Sequence, residues 1–311
     1  LLAGLVLLAS FWMQRQALQQ PLQLTGVYLL EVAPGATPGG LLNQLEAEHI
    51  LTGAFWLRQY WRFNLADSAL HSGEYRLQPG MTALQLLQLW QSAEVVQYNV
   101  AFIEGWSFRQ LRAALAQQDK LGQTLGNLSD AEVMQAVGSP DANPEGWFFP
   151  DTYQYVRGMR DIDLLKQSAK RQQQVLAEEW QERAADLPYK DPYQALIMAS
   201  LIEKETGVGA ERDQIAGVFV RRLGVNMLLQ TDPTVIYGLG ERYQGNLTRA
   251  NLREPSAYNT YLNPGLPPTP IALAGRAAIH AALHPADGKA LYFVARGDGS
   301  HVFSETLDQH N

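Results

Sequence analysis

Two stretches of this chain are apolar on every side, and most of the remainder alternates at helical or strand spacing. The first, LLAGLVLLASFWMQ, carries no charge before Arg15. At ~1.5 Å per residue it is too short for a ~30 Å hydrocarbon core. It is read as the visible part of a single-pass membrane anchor, with Phe11 and Trp12 at the interface. A signal-peptide core is the alternative, but no A-x-A cleavage site follows. Gln14 to Gln23 then forms a polar juxtamembrane connector. The second stretch, Ala195 to Ile202, is broken only by Ser200 and runs into Glu203, Lys204 and Glu205. Asp191, Pro192 and Gln194 mark the start of its helix as N-cap, first position and capping box. Gly207 is the expected stop.

Between these stretches one pattern recurs: an extended segment, a Pro-Gly or Glu-Gly turn, a hydroxyl residue and an amphipathic helix. The copies are VAPGATPGGLLNQLEAEHIL, LQPGMTALQLLQLWQS and FIEGWSFRQLRAALAQ. Thr37, Thr82 and Ser107 stand where a side-chain oxygen can cap a helix, and Gln85 and Gln110 complete capping boxes. The recurrence predicts a small α+β module over roughly Val27 to Gln97. SGEYRLQPGMTALQLLQLW resembles the opening of a LysM repeat, a glycan-binding module; a plain spacer domain is the other reading. Further on, helices are predicted over Asp161–Ala185 and Glu211–Leu223, and a hairpin over LYFVA and HVFS with its turn at Arg296 to Gly299. The fold class is therefore α+β: an anchor helix with connector (1–24), a LysM-like module (25–97) and a larger mixed α+β domain (98–311).

Composition narrows the chemistry. The 311 residues carry a formal net charge of −7, which argues against nucleic acid as a partner. There is no cysteine, so disulfides, thiolate metal sites and cysteine nucleophiles are excluded together. His280 and His284 have zinc-compatible i, i+4 spacing, but HAALH lacks the glutamate of H-E-x-x-H and shows no third ligand. No metal and no cofactor are expected.

The candidate chemistry lies at the end of the second apolar run. Glu205 has Leu201, Ile202 and Met198 on its own side, whereas Glu203 has Ala199 and Ser200. Desolvation and the negative helix end both favour the protonated form of Glu205, as a general acid working near neutrality requires. Lys204 opposes this from another face. A helix that simply surfaces, with both glutamates solvated, is the competing reading.

Five ordered motifs decide between the two. EGWFFPDTY (145–153), ASLIEKET (199–206), LQTDPTVIYGLGERY (229–243), AYNTY with GLPPTPI (257–271) and the C-terminal LYFVARGDGSHVFSETLDQHN resemble the YceG-like family of membrane-anchored endolytic murein transglycosylases. The resemblance implies that Glu205 is the catalytic acid and that Thr206 parallels the Glu-Ser pairing of other lytic transglycosylases. It further implies that Gln230, Thr231 and Asp232 line the cleft and hold sugar hydroxyls or acetamides. Asp232 as a plain N-cap is the alternative for that residue. Tyr258, Asn259 and Tyr261 suit stacking on pyranose faces and bonding N-acetyl groups, Glu145 can reach the site, and Glu203 supports it as a neighbour. Trp147, Phe148 and Phe149 are expected in the core.

The implied reaction is non-hydrolytic cleavage between N-acetylmuramic acid and N-acetylglucosamine, with 1,6-anhydro ends that limit strand length. The implied setting is the inner membrane, with the catalytic domain in the periplasm beside peptidoglycan synthases (penicillin-binding proteins). Two alternatives remain at this point. One is a hydrolytic muramidase using Asp232 or Asp151 as second carboxylate; the other is a non-catalytic glycan-binding scaffold.

Overall fold

The computed structural model describes residues 2–139 and 143–311. Its chain divides into two compact units, one of residues 1–99 with 119–122 and 154–160, the other of the remaining segments.

The first unit begins with helix α1 (Leu2–Gln19), followed by β1 (Tyr28–Val32), α2 (Pro38–Ala47), α3 (Ala54–Asn64), β2 (Gly73–Leu77), α4 (Ala83–Ser92) and the start of β3 (Gln97–Ala101). Strands β1 and β2 pair antiparallel, Tyr28 facing Leu77 and Val32 facing Gly73. Alternation along them sends Leu30, Val32, Tyr75 and Leu77 into a core with Leu42, Leu45, Leu57, Leu86, Leu87 and Trp90. The predicted caps form: Thr37 accepts from the Gly40 N–H at 3.2 Å, and Thr82 makes a full capping box with Gln85. Gly35 and Gly80 in the preceding turns sit at φ 82° and 85°, which glycine tolerates without steric cost. The stretch resembling a LysM opening forms β2 and α4.

The polar connector is not a free linker. Its first half continues α1, and its second is stitched into the unit: Leu22 N–H donates to Met81 O and Gln23 N–H to Ile50 O, both at 2.7 Å. Polarity there reflects backbone pairing at a surface rather than slack chain. No helix among the described residues is long and apolar enough to cross a membrane.

The second unit adds α5 (Phe108–Ala116), α6 (Asp130–Val137), β4 (Thr152–Val156, paired with β3 and shared between the units), α7 (Asp161–Gln181), α8 (Pro192–Glu205), α9 (Arg212–Gly224), α10 (Asp232–Leu239), α11 (Arg276–Leu283), β5 (Tyr292–Ala295), β6 (His301–Ser304) and α12 (Leu307–His310). The hairpin β5–β6 pairs Tyr292 with Ser304 and Ala295 with His301. Helix α7 ends four residues before the predicted Ala185, because the Ala184 N–H bonds Leu283 O on α11 at 3.0 Å instead of extending the helix. Helix α8 runs through the centre of this unit, with Ala195 to Ile202 all buried among Phe149, Val175, Ile215, Phe219 and Ile279. Phe148 and Phe149 are core residues as expected, and Trp147 packs at the core's edge, stacked on Tyr193.

Candidate active site

The cap and first turn of α8 are built as the sequence predicts, but the capping box does not close. Asp191 Oδ1 accepts the Gln194 N–H at 2.9 Å, and Pro192 occupies the first turn, where no N–H is needed. The Gln194 side chain reaches the Lys190 N–H rather than that of Asp191. Ser200, the polar exception, is satisfied: it donates to Ile197 O at 2.7 Å and accepts the Ile271 N–H at 3.0 Å. The helix does not end on a left-handed Gly207. Thr206 stops it in extended conformation (φ −139°, ψ 136°), its hydroxyl accepting the Val208 N–H at 2.9 Å. This local bond gives the backbone an alternative to another helical turn.

The two glutamates at this end part company. Glu205 Oε2 accepts the hydroxyl of Thr231 at 2.8 Å. Thr231 is 1% exposed and fixed in turn, its N–H bonded to Thr260 Oγ1 at 3.1 Å and its carbonyl to Thr234 Oγ1 at 2.7 Å. Burial holds the Glu205 carboxyl above its ordinary range. The Thr231 bond opposes this, Asp232 adds to it, and the charges of His301 and Arg222 oppose it. Glu203 is committed elsewhere: its Oε2 accepts the Gly275 N–H at 3.0 Å and its Oε1 lies 3.5 Å from Arg212 Nη2. Burial raises its pKa too. Lys204 is exposed and donates to Gly105 O at 3.2 Å.

A cleft of about 1060 Å³ opens beside this helix end, lined by Ser107, Glu145, Lys204, Pro233, Tyr237 and Tyr258 among others. Glu205 and Asp232 do not line it, although their chain neighbours Lys204 and Pro233 do. Glu145 is 4% exposed and doubly held, accepting the Phe108 N–H at 2.9 Å and the Tyr237 hydroxyl at 3.0 Å. Burial pushes its carboxyl up to about 7. Gly146 brings the backbone close: at φ 80°, a Cβ there would stand 2.5 Å from Cβ of Pro270. Tyr258 faces the same cleft, its hydroxyl 2.9 Å from Thr269 Oγ1 and its ring 4.7 Å from that of Tyr237.

The other expected residues divide between cleft rim and scaffold. Thr231, not Asp232, is the N-cap of α10, and its hydroxyl serves Glu205 rather than the helix. Asp232 is exposed and accepts the Tyr261 hydroxyl at 2.6 Å. Burial, with Asp232 alongside, raises the Tyr261 pKa. Gln230 is exposed in left-handed backbone (φ 51°), its N–H on Thr260 O. Asn259 is 1% exposed, with its amide donating to Leu252 O and Glu254 O and accepting the Tyr261 N–H. It shapes the loop that carries Tyr261. Asp151 is exposed and its Oδ1 accepts the Thr152 N–H at 2.7 Å.

Some participants escape a sequence reading. Arg222 lies at the helical spacing of the α9 core face, and its guanidinium is buried beneath the carbonyls of Leu291, Leu228 and Leu229. His301 Nδ1 is 2.7 Å from Glu211 Oε2, across 90 residues. The hairpin motif contains His301 but gives no local hint of its partner. The histidine pair does gain a third donor, Glu179 from α7, with Oε2 2.8 Å from His280 Nδ1. The other oxygen of Glu179 is held by Arg276 Nη1 at 2.7 Å, and His284 Nε2 lies 2.8 Å from Glu182 O.

Fold and site together define an α+β protein whose buried helix ends in a carboxyl that burial pushes above its ordinary range, next in the chain to residues that line an open cleft. The profile of the YceG-like family matches residues 30–311. A Bacillus subtilis (strain 168) protein named endolytic murein transglycosylase is 30% identical over 91% of this chain and 82% of its own length. A protein of the same name from Streptococcus pneumoniae (strain D39 / NCTC 7466) is 24% identical over 78% of this chain, which spans 50% of that relative. A crystal structure of a YceG-like protein from Listeria monocytogenes superposes with a TM-score of 0.57 at 29% identity, covering 91% of this chain and 98% of that one. The chain belongs to the YceG-like family.

Proposed function

We propose that this protein is an endolytic lytic transglycosylase that cuts peptidoglycan glycan strands between N-acetylmuramic acid and N-acetylglucosamine, with Glu205 as its acid. The observation that carries the reading is the Glu205 carboxyl, pushed above its ordinary range by burial at the end of α8 and fixed by Thr231. The names borne by the relatives supply the substrate class. Glu205 gives its proton to the glycosidic oxygen as the C1–O bond breaks. The resulting carboxylate then takes the proton of the substrate's own C6 hydroxyl, whose oxygen closes on C1 to form the 1,6-anhydro ring. Intramolecular attack has effective molarities of up to ~10⁵–10⁸ M, so no second protein carboxylate is required.

Gln230, Asp232, Tyr258, Tyr261 and Glu145 form the substrate-facing set in this reading, while the buried Thr231 orients Glu205 and Asn259 and Glu203 keep those elements in place. The hydrolytic reading has one observation in its favour, a second buried carboxyl on the cleft. That carboxyl is Glu145 rather than Asp151 or Asp232. Retaining and inverting glycosidases both use two such groups.

Residues 1–24 act as membrane anchor and connector, 25–97 as a LysM-like glycan-binding module, and 98–311 as the catalytic domain. Support for the anchor is the exposure of Leu2, Leu5, Val6, Leu7, Leu8, Phe11 and Trp12 on α1. An inner-membrane setting, a periplasmic catalytic domain and work beside peptidoglycan synthases rest on the family resemblance. The test is digestion of uncross-linked glycan strands by wild type and Glu205→Gln, with products read by mass spectrometry. Cutting by wild type alone is expected. Equal cutting by both would remove Glu205 from its role, and no cutting by either would favour a binding scaffold.

A further inference from the structure

Helix α3 presents an outer face that its own unit meets only at the edges, where Arg58 Nη1 donates to Asn43 Oδ1 of α2 at 2.7 Å and Trp56 packs on the core. Phe55 is 52% exposed and Phe63 76% exposed, with Arg62 exposed between them and Trp56, Arg58 and Gln59 half-buried at the flanks. At 100° per residue these six share one side of the helix, opposite the buried Leu57 and Trp61. Large exposed aromatics grouped in this way mark an interaction surface. The helix holds two arginines and no acid, in a chain of net charge −7. Aromatic rings interleaved with arginine suit the headgroup layer of a bilayer, where amphipathic rings and cationic tips are both favoured.

The position of α3 supplies the occupant. Ala17 of α1 packs on Gly53, the N-cap of α3, where a Cβ would stand 3.4 Å from the Ala17 Cβ. The Gln20 side chain then clamps the approach to α3, its Oε1 accepting the Thr52 N–H at 3.1 Å and hydroxyl at 2.6 Å. Ala17 follows Trp12 by five helical residues, ~7.5 Å along the axis. The exposed apolar half of α1 therefore ends within one or two turns of the helix that bears Phe55 and Arg62.

We propose that the outer face of α3 rests on the anionic lipid surface entered by α1, so that the first unit is held against the membrane and not merely tethered to it. This rests on the reading of α1 as the anchor. Each arginine near an anionic surface is worth about fivefold in partition.

The absence of native cysteine permits a direct test in the whole chain reconstituted into vesicles. Single cysteines replacing Leu5 on α1 and Gln59 on α3 carry an environment-sensitive fluorophore, and lipid-borne quenchers report immersion. Quenching at both sites is expected in phosphatidylglycerol vesicles. At Gln59 alone it should fall about fivefold with Arg62→Gln, the arginine not engaged by α2, and again with Phe55→Ser/Phe63→Ser. Quenching at Leu5 with none at Gln59 overturns the proposal and leaves the anchor standing. No quenching at Leu5 overturns the anchor and the proposal together. Equal quenching at Gln59 in phosphatidylcholine and phosphatidylglycerol would remove the arginines from the account.

Discussion

Helices α1 and α8 begin from nearly the same material and reach opposite ends. Both are apolar around most of their circumference, yet Leu2 to Trp12 of α1 expose their large side chains while Ala195 to Ile202 of α8 are wholly buried. The difference lies in what the rest of the chain supplies. Around α8 stand α7, α9, α10 and α11, and even Ser200 finds two partners. Around α1 only the last turn is met, through Ala17 and Leu18. An apolar run surrounded by protein can carry a carboxyl into a dry place and favour its protonated form there. An apolar run left bare offers its surface to another phase.

The comparison predicts a graded set of effects. Glu205→Gln should lower turnover by about 10²–10⁴-fold, the usual contribution of a general acid, with strand binding retained in a pull-down. A loss below tenfold would place the proton elsewhere. Leu196→Ala should cost about 2–5 kcal/mol in denaturant unfolding, since the cavity opens in a packed interior. Leu7→Ala, on the bare face of α1, should stay within ~0.5 kcal/mol by the same assay. Similar costs at the two positions would erase the contrast.

Glu145 sharpens it through pH. Its folded pKa of about 7 lies above the ordinary carboxyl value of 4.5, so the folded state keeps a proton that the unfolded state has lost. The stability this gives is complete below pH 4.5 and is lost as pH rises to about 7. Glu145→Gln should abolish that part of the slope, worth at most ~3 kcal/mol across the window. An unchanged slope from paired melts at pH 4.5 and 7.5 would mean that the carboxyl is solvated. Thr231→Val should give a smaller change in the activity profile. The Thr231 hydroxyl favours the ionised form of Glu205, so its removal raises that pKa further and moves the alkaline limb to higher pH. A limb that stays put or moves down would uncouple the two residues.

What could be read from the sequence was local. Asp191, Pro192, Thr82 and Ser107 announce helix starts because a cap bonds within three residues, and all four are found where expected. The apolar neighbourhood of Glu205 was visible for the same reason, through side chains one and two turns back. Its polar neighbourhood was not: Thr231 is 26 residues away, and Arg222 is disguised as a member of an apolar face. Glu179 joins the histidine pair from 101 residues away. The end of α8 falls where Gly207 places it, but the stop is made by Thr206, which competes with the helix through its own hydroxyl, and not by a left-handed glycine. Asp232 looked like a cap because its type and place fit one, while the preceding threonine takes the position and turns its side chain to the acid.

The central claim is that Glu205 on α8 works without a second carboxylate, so that the substrate's own hydroxyl and not water attacks C1. Digestion of uncross-linked strands in H₂¹⁸O, with mass analysis of the new ends, tests it most directly. The account predicts ends one water lighter than reducing sugars and free of ¹⁸O. Reducing ends carrying ¹⁸O at C1 would contradict it and give the cleft to a hydrolase.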